Sequence, residues 1–228
     1  RMKIAFLLFT DSSLGKVDKG SLSEETLMEL LIEGITTGKE RICGSRDNPL
    51  EVHQWSGLMF NDGNEILKIG WEQLWLQGSI QLQWLPRAVT HFVIWGNALS
   101  GSLDFTDLPP NIFMLSFHSN RFEGTIDLSN LPKSLETISL TNNRLSGNLD
   151  LSHLPDGIRR LYLNENAFEG QIDFTTLPES LKLLDIRHTK FSGVTMRTLS
   201  RDVRAEFSNV NLLSQGFTGN DIKYLGCE

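Results

Sequence analysis

Cysteine is nearly absent: the 228 residues hold two, Cys43 and Cys227, near opposite ends of the chain. Secreted repeat proteins commonly close their ends with local disulfides, and no local pair exists here. No Asn-x-Ser/Thr triplet occurs, so an N-glycosylation acceptor is missing as well. Both absences lean towards a reducing compartment. The expected location is therefore cytoplasmic, with secretion or the cell surface as the alternative. No apolar run approaches the ~20 residues of a membrane-spanning helix. Cations are in the minority, with 21 Lys and Arg against 28 Asp and Glu and a net charge of −7. That balance argues against binding nucleic-acid phosphates or an anionic membrane.

Catalytic and metal-binding signatures are equally scarce. There is no H-x-x-x-H pair and no phosphate-cradling glycine loop. The stretch TDSSLGKVDKGS places Gly15 where a calcium loop has its glycine. Leu14 then falls at a ligand position and cannot coordinate, and no glutamate closes the loop. The opening RMKIAFLLFT has a basic start, but its apolar segment Ile4 to Phe9 is short for a leader, and no small-residue cleavage site follows. It is read as an ordered part of the chain. The Arg ahead of Met2 suggests a fragment of a longer one.

What the sequence does contain is a unit repeated without insertion. It reads LPRAVTHFVIWGNALSGSLDFTD from Leu85, LPPNIFMLSFHSNRFEGTIDLSN from Leu108 and LPKSLETISLTNNRLSGNLDLSH from Leu131. LPDGIRRLYLNENAFEGQIDFTT follows from Leu154 and LPESLKLLDIRHTKFSGVTMRTL from Leu177, always 23 residues on. A period that short and strict means a solenoid. Leu135, Ile138, Leu140, Asn143, Leu145 and Gly147 give the frame L-x-x-L-x-L-x-x-N-x-L-x-G. Its Leu-x-Leu step turns two side chains to one side of an extended strand. One strand cannot bury that face alone, so neighbours must stack into a parallel sheet. Asn97, Asn120, Asn143 and Asn166 share one phase after the strand. A buried amide there can bond the backbone of adjoining rungs, forming a structural ladder. Gly101, Gly124, Gly147, Gly170 and Gly193 share another phase. The Leu-Pro that opens each unit sends the chain back towards the next strand.

This spacing resembles leucine-rich-repeat proteins. The phrase L-x-G-x-I is similar to the plant-type repeat, in which it makes a second short strand beside the first. Asp104, Asp127, Asp150 and Asp173 stand where plant proteins often carry Pro. The LP-x-x-L…G-x-I-D-L unit also resembles repeats of protist proteins, trypanosomatid ones among them. The resemblance implies an α/β leucine-rich-repeat solenoid, a curved parallel sheet with an N-terminal helical and hairpin cap and an irregular C-terminal cap. The expected division is a cap over residues 1–62 with a helix about 21–37, six repeats over 63–199 with the first degenerate, and a C-terminal cap over 200–228. Ser21-x-x-Glu24 reads as a capping box, or Ser23 as a simple cap, with Leu27, Leu30, Leu31 and Ile35 at helical spacing and Gly38 able to end the helix. The run from Trp55 to Ile66 is similar to caps that form a hairpin before the first strand. Trp55, Trp71, Trp75 and Trp84 are expected to pack in that cap junction.

Alternation along each strand decides which residues face away from the core. Three outward columns result: Lys68, His91, Met114, Thr137, Arg160, Leu183; then Gly70, Val93, Ser116, Ser139, Tyr162, Asp185; then Glu72, Trp95, His118, Thr141, Asn164, Arg187. Two patches emerge. His91, Val93, Trp95, Met114, Ser116 and His118 are aromatic and apolar, whereas Arg160, Tyr162, Asn164, Asp185 and Arg187 are polar and partly basic. Exposed Trp, Tyr, Met and Arg are enriched at protein interfaces. His91 and His118 have no nucleophile or carboxylate beside them in the columns, and the columns supply no set of zinc ligands. The expectation is a non-catalytic interaction or scaffold module without metal or cofactor. Its partner is a protein held on the concave sheet, and the chain could serve as a subunit or domain of a larger assembly. The alternative is a surface recognition module for a peptide, glycan or host ligand.

Overall fold

Each 23-residue unit forms one rung with two strands and a sharp bend between them. The computed structural model describes residues 18–45, 47–193, 202–204 and 209–210. Expectations placed on RMKIAFLLFT, on most of the calcium-like stretch and on residues 211–228 lie outside these. The first strands of successive rungs are Ile66–Gly70, His91–Val93, Met114–Ser116, Thr137–Ser139, Arg160–Tyr162 and Leu183–Asp185. They pair in parallel as the principal sheet. The second strands, Gln77–Gly78, Ala98–Gly101, Arg121–Gly124, Arg144–Asn148, Ala167–Gln171 and Lys190–Gly193, pair in parallel as a second sheet. A last pair follows: Asp202–Arg204 joins the principal sheet and Asn209–Val210 the second.

The inward columns fill the space between the sheets. Phe92, Leu115, Ile138, Leu161 and Leu184 form one buried row, and Trp71, Ile94, Phe117, Leu140, Leu163 and Ile186 another. Leu76, Leu99, Phe122, Leu145, Phe168 and Phe191 line the second sheet from inside. Aromatic edges meet aromatic faces through the first rungs, with Trp71–Phe92 centroids 6.2 Å apart, Phe92–Phe117 5.8 Å and Phe117–Phe122 5.8 Å. Such contacts add to the area term that dominates burial.

The two sheets keep different registers. In the principal sheet equivalent residues pair 23 apart, as in Lys68 with His91 and His91 with Met114. In the second sheet the pairs are Gln77 with Ala98, Ser100 with Arg121, Glu123 with Arg144 and Glu169 with Lys190, each 21 apart. The asparagines sit at the change. Asn143 donates through Nδ2 to the carbonyls of Leu140 (3.0 Å) and, one rung back, Phe117 (3.1 Å). Its Oδ1 accepts the Phe122 N–H at 3.1 Å. Asn97, Asn120 and Asn166 repeat the pattern. Thr189, at the same phase, keeps only the bond within its own rung, to the Ile186 carbonyl at 2.6 Å.

The return path is equally regular. The carbonyl of each opening proline accepts the N–H three residues on, from Val89 to Pro86 (3.2 Å) through Leu181 to Pro178 (3.1 Å). Asp104, Asp127, Asp150 and Asp173 each accept the N–H two residues on at 2.8–2.9 Å, making Asx turns. Hydrogen bonds from Ser129, Ser152 and Thr175 hold the last three carboxyls below the usual range.

The N-terminal region closes both sheets. Leu58–Phe60 pairs antiparallel with Ile66–Gly70, the expected hairpin, and its turn is tied by Asn61 Oδ1 to the N–H groups of Gly63 and Glu65, both 2.9 Å. Ile35–Thr37 pairs antiparallel with Gln77–Gly78. The helix is shorter than expected, α1 at Glu24–Leu31, with Ser23 as its cap, while the Ser21 hydroxyl donates to the Asp18 carbonyl at 2.7 Å instead. Residues 35–37 are a strand because the second sheet needs a partner on its first edge, and tertiary pairing overrides helical spacing. Both joints are close. A Cβ on Gly57 would collide with the Gly70 carbonyl oxygen, and one on Gly78 with that of Gly34.

Asn143→Ala is expected to lower stability by roughly 1–3 kcal/mol in urea unfolding, because the Phe122 N–H loses its acceptor and the Phe117 and Leu140 carbonyls each keep only one ladder amide, from Asn120 and Asn166. Asn143→Thr should recover part of that loss, since a hydroxyl can still reach the carbonyl three residues back. An unchanged midpoint for the alanine variant would refute the ladder's role.

Candidate functional site

The outward face of the principal sheet carries the residues singled out from the alternation. Register places His91 beside Met114, and Val93 beside Ser116. Trp95 and His118 stack with centroids 5.0 Å apart and planes within 9°. The first patch is therefore one continuous surface over two rungs. Phe113, 37% exposed, extends it to the rim and lies 5.4 Å from the His91 ring. The alternation missed it because Phe113 precedes the strand. Its phase otherwise holds Leu67, Thr90, Glu136, Arg159 and Lys182, and a single aromatic among them is the readable signal.

Ser116 is buried and does not present its side chain as expected. A hydroxymethyl group between strands roughly 4.8 Å apart lies below the tips of longer neighbours. Asn164 is also turned in from the expected outward position, held by its neighbour. It is 4% exposed, and its Oδ1 accepts the Thr141 hydroxyl at 2.7 Å. Arg187 is committed within its own rung, since Nε and Nη2 donate to the two oxygens of Asp185 at 2.9 and 2.7 Å. Asp185 is buried at 2% exposure, and this fork is its compensation. Arg160 is exposed and Tyr162 half-buried. Thr137, Ser139 and Thr141 form a rung of short polar side chains between the two patches.

The tryptophans divide differently from the expectation. Trp55 and Trp71 are buried, and their indole N–H groups reach the carbonyls of Leu50 (3.1 Å) and Ser56 (2.8 Å). Trp75 is 75% exposed. Its φ of 58° places it in the left-handed region, and that turn aims the ring away from the core.

Histidine is the residue from which acid–base chemistry would start. His91 Nδ1 lies 2.9 Å from the Thr90 hydroxyl, and His118 Nδ1 lies 3.4 Å from that of Ser119. Among the described residues neither ring has a carboxylate hydrogen-bonded to its other nitrogen. Asp150, His153 and Ser152 are neighbours on the surface, but both partners meet the same nitrogen, Nδ1, at 3.0 Å. A relay needs one ring nitrogen for each partner. No group of three or more His, Cys, Asp or Glu side chains among the described residues is arranged to hold a metal. Cys43 is a free thiol in the cap, and burial pushes its pKa up, which disfavours the thiolate.

Burial depresses the affinity of His91 for a proton, and the Lys68 ammonium depresses it further. Burial does the same for His118. Both folded values lie below 6.5, so the unfolded chain takes up protons first as pH falls. Stability contributed by the neutral rings is present above pH 6.5 and is lost on acidification through the folded values. NMR titration should place both rings below 6.5 and show His91 rising in Lys68→Met. A His91 value at or above 6.5 would contradict the burial of that patch.

No protein-family model matches the chain, and no curated protein does. Solved structures match in fold. A pollen receptor kinase 3 structure is 22% identical, with a TM-score of 0.63 over 85% of this chain and 99% of that one. The leucine-rich-repeat ectodomain of the receptor kinase SOBIR1 from Arabidopsis thaliana is 19% identical, with a TM-score of 0.57 over 77% and 98%. The Arabidopsis receptor kinase HAESA, in complex with the peptide hormone IDA and the co-receptor SERK1, is 18% identical, with a TM-score of 0.53 over 82% and 41%. The cytoplasmic expectation has no counterpart among them. With its 23-residue rungs and two parallel sheets, the chain has the fold of a leucine-rich-repeat solenoid.

Proposed function

We propose that the chain is a non-catalytic recognition module acting at the cell surface or outside the cell, and that it holds a peptide or protein on the principal sheet. The observation that carries this reading is the aromatic surface of Trp95, His118, His91, Met114 and Phe113. It is continuous, lies on two neighbouring strands and the residues that flank them, and faces outward. Stacked rings on a sheet lose little side-chain freedom on binding, and such residues dominate interface energies. Elsewhere on the same face Arg187 is already paired with Asp185 and Thr141 with Asn164. Arg160 and Tyr162 then serve as a polar rim rather than an anchor.

The surface location is supported by likeness to receptor ectodomains, and the peptide class by HAESA, whose structure contains a peptide hormone. A fixed intracellular scaffold is the competing role. Kinship of the repeat with protist proteins rests on the Leu-Pro and Gly-x-Ile-Asp phrases alone.

Affinity capture from the cells that make the protein, with partners identified by mass spectrometry, tests the site. Trp95→Ala/His118→Ala should weaken the main partner by a factor of about 30 or more, the effect of losing one or two anchors worth about 2 kcal/mol each. Equal recovery by the double variant removes the patch as the site. Surface biotinylation of the full protein tests location separately, and a wholly cytosolic pool would overturn that half of the reading.

A further inference from the structure

The second sheet has an outward face of its own, and a groove of about 450 Å³ crosses it. Thr36, Gln77, Ser100, Arg121, Glu123 and Arg144 line it, drawn from five adjacent strands. Leu99, Phe122 and Leu145 point inward between them and are buried. Both arginines are exposed, and among the described residues neither guanidinium has a hydrogen bond or an ion pair. Glu123 is the lateral partner of Arg144 in register, yet it makes no salt bridge with it.

The 21-residue register fixes how the two cations lie. Arg144 is one strand across from Glu123, and Glu123 is two residues along from Arg121. One strand step of about 4.8 Å and two residues of about 6.6 Å put the two Cα atoms roughly 8 Å apart on a diagonal. Alternate side chains of an extended peptide recur every ~6.6–6.8 Å on one face. Two carboxylates spaced i and i+2 can therefore meet both guanidinium forks at once. Such forks hold carboxylates bidentately.

We propose that this groove binds an extended acidic peptide segment carrying carboxylates two residues apart. Arg121 and Arg144 are the anchors. The Thr36 and Ser100 hydroxyls donate to the Gln77 and Gly78 carbonyls at 3.4 and 3.3 Å and keep their oxygens as acceptors for backbone N–H groups, beside the Gln77 amide. Charge complementarity selects the occupant. A chain of net charge −7 presents two unpaired cations here, with Glu123 placed to repel anions that lack the right spacing. The lining has no aromatic side chain on which a sugar ring could stack. This surface is separate from the principal-sheet face.

Fluorescence polarisation with a labelled Ser-Glu-Thr-Glu-Ser probe tests the groove. Binding should be saturable below about 1 mM and should be lost in high salt. It should fall about tenfold in either Arg121→Ala or Arg144→Ala, and less in Arg144→Lys, which keeps the charge and loses the fork. A probe with Gln in place of Glu should not bind. Trp95→Ala/His118→Ala should bind the acidic probe like the native chain, so failure of the principal-sheet reading leaves this outcome untouched. No binding by the native chain, unchanged binding in both arginine-to-alanine variants, or equal binding of the Gln probe would overturn the proposal. Tighter binding of a sulfated hexasaccharide or of phosphatidylserine vesicles would overturn the assignment to a peptide.

Discussion

One side-chain amide per rung holds the two halves of this solenoid in relation to each other. Both sheets repeat every 23 residues, but lateral partners are 23 apart in the principal sheet and 21 apart in the second, so the ladder shifts by two residues at the bend and leaves some backbone groups there without a strand partner. Asparagine resolves the mismatch, donating to carbonyls on the principal-sheet side and accepting an N–H on the second-sheet side of the preceding rung. An aspartate would offer acceptors to carbonyls, and a leucine would strip the N–H of its acceptor and each carbonyl of one of its two ladder amides inside a dry core. The left-handed residue just before each ladder asparagine, among them Ser119, Asn142 and Glu165, completes the bend that brings the amide to this point.

From that junction the two faces acquire different characters. On the principal sheet equivalent residues sit directly beside one another, so like stacks on like and aromatic pairs such as Trp95–His118 form readily. On the second sheet the stagger sets unlike positions side by side, Ser100 against Arg121 and Glu123 against Arg144. One repeat unit thus yields a face of columns and a face of diagonals. The first suits an extended apolar contact, the second a spaced pattern of charges.

The period, the ladder and the three outward columns were legible in the sequence, because each depends on identical neighbours at a fixed separation. Exposure along those columns was not. Whether Ser116 or Asn164 reaches solvent depends on the height of the side chains flanking it, which alternation alone does not encode. Asp185 illustrates the same limit: its position reads as outward, while the Arg187 fork lets it lie almost fully buried. The helix was overextended because Ile35 satisfies both helical spacing and a strand, and only the empty edge of the second sheet decides between them. Trp75 escaped because a left-handed turn breaks the alternation on which its expected burial rested.

The two cap strands, Leu58–Phe60 and Ile35–Thr37, run against the direction of every strand that follows. A further parallel unit cannot be appended beyond them without reversing the chain, and at Gly57 and Gly78 cap and sheet lie too close for even one side-chain carbon. Growth of such an array, whether by duplication of a unit over generations or by joining of copies end to end, is therefore one-directional. The molecule has a fixed origin from which its length is counted.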